Sequence, residues 1–458
     1  MKNLTLENIA RVCNGKFYGP EELRKEEITS ITTDSRKAEP GCLFVAIKGE
    51  RVDGHDFAAG VMEQGALCVL AEHELPNFTG CYIQVESTLA AVREIAEFYR
   101  KGLDIKVVGI TGSVGKTSTK EMIASVLSEK YKVLKTLGNF NNELGLPLTV
   151  FRLTEEDEVA VLEMGISNFG EMHRLSKIAR PDICVMTNIG QCHLETLHDR
   201  DGILQAKSEI FDFLKEDGGI VLNGDDDKLS AIQEIKGIKP VFFGLESGRS
   251  IYADEIAPKG LKGISCRIHT PKGEFEVMIP IPGVHMVRNA LAATAVGLLM
   301  GLSLEEIKSG IEKSESLSGR FHIIEKGSLT IIDDCYNASP VAMKASLDIL
   351  KDAEGRKVAV LGDMFELGED AAALHASVGA HAAGNAIDLL ICVGENCRHM
   401  AKAAFETGGC GEVLQVPTLD SILATLPELI CPGDTILVKA SHAMHFEKVV
   451  EKLLELEM

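Results

Sequence analysis

Short apolar runs alternate with segments of helical period along most of this 458-residue chain. Val107, Val108 and Ile110 form a β-branched run that reads as a buried strand. Gly112 and Gly115 interrupt it, and Lys116 opens a helix whose apolar positions are Met122, Ile123, Val126 and Leu127. Residues 158–164 (EVAVLEM) and 182–189 (DICVMTNI) predict further buried strands, as do 219–222 and 241–245. Helices are expected from about Asp201 and over 289–300.

On either side the pattern differs. Residues 1–101 mix short strands (42–47, 67–70, 82–85) with helices (6–12, 90–101), a small α/β unit. From 317 to 458, strands at 329–332, 357–361, 389–393, 413–416 and 435–438 alternate with helices at 340–350, 375–384, 399–407, 420–429 and 445–454. Such alternation predicts a Rossmann-like, doubly wound sheet. The expectation is an α/β protein of three domains: 1–101, a central P-loop ATPase-like parallel-sheet domain at 102–316, and 317–458.

Composition narrows the chemistry. The net charge is −21, from 47 basic and 68 acidic residues, so a phosphate-backbone polymer is repelled and nucleic acid is not an expected partner. The longest apolar candidate, 290–302, is too short to span a bilayer, and the first residues lack the apolar core of a signal peptide. No membrane insertion is expected. Twelve cysteines without a CxxC pair read as reduced, mostly buried thiols, which places the chain in the cytoplasm.

The stretch VVGITGSVGKTSTK carries the strongest chemical signal. A strand, a glycine turn and a helix start make an anion site, because turn N–H groups and the helix dipole both favour a phosphate. Gly112, Ser113, Val114, Gly115, Lys116, Thr117 and Ser118 would cradle ATP, Lys116 reaching the outer phosphates and Thr117 ligating Mg²⁺. The general P-loop pattern wants glycine at 110, where isoleucine stands.

Other polar residues fall at strand ends. Glu163 closes an apolar strand, where an ionised carboxylate must be paired or metal-bound. Thr187, Asn188 and then His193 follow the next strand, at the edge where open parallel sheets bind ligands. His193 alone reads equally as a loop histidine, and Lys207 alone as a solvated helix lysine. The segment 33–57, dense in Asp, Ser, Arg, Gly and His, suits either a ligand loop or a solvated turn.

Taken together these residues resemble the Mur ligase family, over the whole chain and in the same domain order. The family's own phosphate-loop form accounts for Ile110. The asparagine-rich loop 139–142, Glu163-Met164-Gly165, Thr187-Asn188-Ile189 with His193, and Ala206-Lys207 also match. So do Asn289, which in the family lies near the adenine, and Arg320, near the nucleotide phosphates. The segments 333–340 and 361–368 resemble motifs of the members that add D-alanyl-D-alanine. Ser339, Met286 and His442 depart from the residues usual there, which are asparagine, asparagine and arginine. The last change bears on how a dipeptide carboxylate is held.

The resemblance implies an ATP-dependent amide ligase, a monomer, that joins D-alanyl-D-alanine to UDP-N-acetylmuramoyl-tripeptide through an acyl phosphate. It implies that Lys116, Glu163, His193 and Lys207 are catalytic, and that Ser35 and Arg36 bind the UDP moiety in the first domain. Thr117, Glu163, His193 and a carbamylated Lys207 would hold Mg²⁺. The last domain would bind the dipeptide and close over ATP through Arg320 and Asp334. Two rivals stay in view. A folylpolyglutamate synthase-like ligase lacks the UDP-binding first domain, and a P-loop switch leaves Glu163, His193 and Lys207 without a role.

Overall fold

Runs of three to six buried apolar residues are too short for helices, and the chain uses them as strands. In the computed structural model, which describes residues 1–49 and 51–457, they build three sheets. Glu50, within the polar segment 33–57, and Met458 lie outside the described residues. The chain clusters into two compact units, 1–243 with 292–307 and 244–291 with the chain from 308 on.

The first unit holds two sheets. Strands β1 (Lys16–Tyr18), β2 (Ile31–Thr32), β3 (Leu43–Val45), β4 (Cys68–Ala71) and β5 (Tyr82–Gln84) pair in the order β1-β5-β4-β3-β2, with β1 alone antiparallel to its neighbour. The helix Thr88–Lys101 ties this sheet to the next. Its Tyr99 hydroxyl donates to the Leu153 carbonyl at 2.6 Å, and Arg93 pairs with Glu143 at 3.0 Å.

The second sheet sets up the site. Strands β6 (Lys106–Thr111), β7 (Val133–Lys135), β8 (Val159–Glu163), β9 (Ile183–Met186), β10 (Gly219–Asn223) and β11 (Val241–Gly244) run parallel in the order β7-β8-β6-β9-β10-β11. Strands β6, β8 and β9 are buried almost throughout, hence their unbroken apolar sequences. Their register pairs Ile110 with Glu163 and Thr111 with Met186. The phosphate-loop start, Glu163 and Thr187 therefore leave the sheet at one edge.

The second unit begins with an antiparallel meander absent from the sequence expectations: β12 (Ile251–Pro258), β13 (Ile264–Thr270) and β14 (Gly273–Ile279). The expected doubly wound sheet follows, from β15 (His322–Lys326), β16 (Leu329–Asp333), β17 (Arg356–Gly362), β18 (Leu389–Val393), β19 (Glu412–Val416) and β20 (Asp434–Lys439), in the order β15-β16-β20-β17-β18-β19. All neighbours are parallel except β15 and β16. Ser339 caps the Pro340–Lys351 helix, accepting from the Ala342 amide at 3.3 Å, with proline in the first turn. Serine and asparagine cap equally well, so the departure at 339 costs the helix little. The helix Val284–Leu299 starts five residues before the predicted 289, because His285 and Arg288 in its first turn hide the apolar period.

Candidate active site

The loop after β6 is shaped by its neighbours across the sheet. Asn188 accepts from the Val114 amide and donates to the Val114 carbonyl, both at 2.9 Å, and the Thr187 hydroxyl donates to that carbonyl at 2.7 Å. The Ser113 amide donates to the Asn188 carbonyl, and the Ser113 hydroxyl accepts from the Gly190 amide at 2.9 Å. Gly112, at φ +150°, passes so close to Thr187 that a Cβ there would lie 1.9 Å from its hydroxyl oxygen. No other residue fits. From this loop the helix Lys116–Leu127 starts, and its first-turn amides point toward the loop mouth. The half-buried Lys116 folds back, its ammonium 2.9 Å from the Gly112 carbonyl.

Glu163 faces this helix start. Its Oε1 accepts from the Thr117 hydroxyl at 3.2 Å and from the Asn141 amide group at 2.8 Å. Its Oε2 is buried and makes no hydrogen bond, while the Lys120 ammonium stands 3.9 Å away. An orphaned carboxylate oxygen beside a hydroxyl is the oxygen donor set a hard divalent cation takes. Thr117 and Glu163 thus fit Mg²⁺. Lys120 is itself fully buried, donating to the Thr136 carbonyl at 2.7 Å and pairing with Glu121 at 2.9 Å. Sequence reading passed over Lys120, although it precedes Ile123, Ala124 and Leu127 by helical spacing and so shares their inward face.

His193 lies half-buried at the start of the short helix Leu194–Leu197, with φ +52°. The thiol of its neighbour Cys192 donates to the Ser113 hydroxyl at 3.2 Å, which ties this segment to the phosphate loop. Asp226 accepts from the Ile189 amide at 2.8 Å, and Arg200 donates to the Ile189 carbonyl at 2.8 Å, fixing the segment's other end. Asp199 caps the helix Arg200–Ser208, accepting from the Gly202 amide at 2.8 Å. That helix buries Lys207 almost completely, at 1% exposure. Burial, reinforced by the nearby Lys116 charge, pulls the Lys207 amine down to about 7. Lys207 is therefore no solvated helix lysine.

Ser35 and Arg36 sit after β2 in the turn Ser35–Lys37 of the first sheet. Arg36 is exposed and grips Asp34 with two parallel hydrogen bonds of 2.9 Å, which hold the Asp34 carboxyl down at about 2. In the second unit, the Asn289 amide group donates to the Met286 sulfur at 3.3 Å. Asp334 accepts from the Phe321 amide at 3.1 Å and so adjoins Arg320, whose guanidinium lies 4.1 Å over the Tyr336 ring. Tyr336 stacks in turn on His442, with ring centres 5.3 Å apart.

Two clusters with metal-like composition are already satisfied. His55 donates to Asp53 at 2.6 Å and accepts from the Glu72 amide at 2.9 Å. His375 bonds the Ala371 carbonyl through one nitrogen and accepts from the Met364 amide through the other. Neither imidazole has a lone pair to spare.

Comparison with known proteins agrees along the chain. The family models for the Mur ligase middle domain, the Mur ligase glutamate ligase domain and the Mur ligase catalytic domain match residues 110–297, 319–442 and 27–100. The UDP-N-acetylmuramoyl-tripeptide–D-alanyl-D-alanine ligase of Bacillus subtilis (strain 168) is 38% identical over 456 residues, 98% of each chain. The chain belongs to the Mur ligase family. Among solved Mur ligases, a crystal structure of MurF from Acinetobacter baumannii superposes with a TM-score of 0.90 at 33% identity, over 99% of both chains. MurF ligase from Thermotoga maritima in complex with ADP gives 0.81 at 30% identity, over 93% of this chain and 97% of that one.

Proposed function

We propose that this Mur ligase joins D-alanyl-D-alanine to UDP-N-acetylmuramoyl-tripeptide at the expense of ATP, giving the pentapeptide precursor of peptidoglycan, ADP and phosphate. The observation that carries the reading is a preformed phosphate loop with an unbonded buried carboxylate oxygen at its mouth. It stands in a chain similar along 98% of its length to an enzyme of that name.

A carboxylate is a poor electrophile, since its leaving group would be oxide. Transfer of the ATP γ-phosphoryl onto the tripeptide carboxylate gives an acyl phosphate, and the dipeptide amine displaces phosphate from it. Catalysis is then mainly positioning and charge neutralisation. Residues 112–118 hold the phosphates, and Lys116 neutralises the outer ones. Mg²⁺, when bound, supplies further neutralisation of phosphate oxygens. Thr117 and Glu163 are the proposed ligands of one ion, and His193 with Glu163 and Lys207 of a second.

A bare ammonium makes no sense as a ligand. A Lys207 amine brought down to about 7 is half neutral at that pH and can add CO₂, releasing a proton and leaving a carbamate oxygen. Asn289, Arg320 and Asp334 are assigned to the nucleotide, and Ser35 and Arg36 to the UDP moiety, on family likeness. The anionic substrates meet a chain of net charge −21, so the exposed Arg36 and the half-buried Lys116 supply the local positive field. Neither nucleic acid nor membrane enters the proposal. No helix among the described residues is long and apolar enough to cross a bilayer.

The test is ADP release from ATP with UDP-N-acetylmuramoyl-tripeptide, with and without D-alanyl-D-alanine. Release that needs both substrates supports the ligase. Release with neither present would replace it with a nucleotide switch.

A further inference from the structure

The strand ends of the last sheet contain a second buried lysine, and its contacts lead to Arg320. Lys439 closes β20 and is 4% exposed. Its ammonium donates to the Asp334 carboxylate (Oδ2) at 2.6 Å, the Asn337 carbonyl at 3.1 Å and, more weakly, the Asp334 carbonyl at 3.4 Å. Three donors serve three acceptors, so no proton of this ammonium remains for a substrate.

Asp334 is equally committed. Its Oδ2 also accepts from the Ser346 hydroxyl at 2.6 Å, and its Oδ1 accepts from the Phe321 amide at 3.1 Å. The preceding Asp333 accepts from the Gly319 amide at 2.7 Å and the Ser318 hydroxyl at 3.0 Å. Two adjacent carboxylates thus hold the amides of the two residues that flank Arg320. The turn they hold is strained at Phe321, a bulky residue at φ +53°, whereas Gly319 takes φ +76° without cost. A backbone in that conformation persists where its surroundings over-determine it. The Arg320 guanidinium then projects onto Tyr336, whose own amide donates to the Gly319 carbonyl at 3.0 Å.

We propose that Lys439 is a positioning residue for Arg320: through Asp334 and the Asn337 carbonyl it holds the turn that aims the Arg320 guanidinium. Without the ammonium, Asp334 would carry a buried, unmatched charge and turn toward water, releasing the Phe321 amide. The effect on catalysis rests on the reading that Arg320 serves the nucleotide phosphates, whereas the effect on its position does not.

The test separates the two. The Arg320 Nε–H resonance carries the ring current of Tyr336 and is assigned by its loss in Arg320→Lys. In Lys439→Met that signal should move to the position of a solvent-exposed arginine. The kcat/KM for ATP should fall on the order of 100-fold, and Arg320→Ala added to it should cost nothing more. If Lys439→Met does not fold, Lys439→Gln, which keeps a polar donor and much of the side-chain bulk but leaves the Asp334 charge unmatched, carries the same expectation. An unmoved Arg320 signal in a folded variant, or losses that multiply, overturns the proposal. A moved signal with unchanged kcat/KM upholds the positioning and overturns the nucleotide role of Arg320.

Discussion

The Thr117 hydroxyl and the Glu163 carboxylate meet at 3.2 Å across the mouth of the phosphate loop, 46 residues apart in the chain. The contact engages one carboxylate oxygen and leaves the other buried without a hydrogen bond. Glu163→Gln should keep the fold, because an amide oxygen still accepts from Thr117 and Asn141. It should lose the ability to favour a metal–nucleotide complex over the bare nucleotide. Calorimetric titration with ADP, with and without Mg²⁺, checks this: the Mg²⁺-dependent gain should shrink by about tenfold or more.

Lys116 is half-buried and its ammonium rests on a loop carbonyl, so little packing depends on it. Lys116→Ala should unfold within a few degrees of the parent while ATP turnover falls by at least about 100-fold. Near-normal turnover by a folded variant would remove Lys116 from the phosphate site.

Lys207→Ala should lose most ligase activity, and a short carboxylate such as acetate should restore part of it by taking the vacated oxygen-donor position. Rescue by acetate but not by methylamine distinguishes a carbamate from an ammonium role.

The same side chain sets a pH dependence of stability. The unfolded chain keeps the Lys207 proton up to about 10.4, whereas the folded chain gives it up near 7. Unfolding therefore takes up a proton between those values, and stability rises with pH across that window. Below about pH 7 both states are protonated and the cost of burying the charge is complete. Lys207→Met should accordingly raise Tm more at pH 6 than at pH 9.5, as read by thermal melts in matched buffers.

Arg36 is presented by Asp34 through a bidentate pair, and Asp34 remains ionised at any working pH. Asp34→Asn removes the clamp and leaves the arginine. KM for the UDP-linked substrate should rise by roughly 3- to 10-fold with kcat nearly unchanged. A fall in kcat alone would place Arg36 outside substrate binding.

Much of this site could be read along the chain because its residues interrupt strong patterns. Glu163 ends an apolar strand, and two glycines break another before Lys116. The register of β6 with β8 and β9 then brought those interruptions to one edge. Lys439 offers the signal that exposed Glu163, a charge closing an apolar strand, yet its three acceptors come from residues about 100 positions earlier. Lys207 could not be told from a surface lysine, since its burial arises from tertiary packing. The β12–β14 meander escaped because its outward positions carry Asp254, Glu255, Arg267, Glu274 and Glu276, and the weak alternation left between them looks like loop.

The phosphate loop owes its shape to Asn188 and Thr187, which bond its Val114 peptide from the adjacent strand end. The entropy of ordering that loop is therefore lost once, when the chain folds, and not again at each catalytic cycle. On the proposed reading, an arriving nucleotide meets peptide groups already in place, and the Lys116 ammonium has only to leave the Gly112 carbonyl.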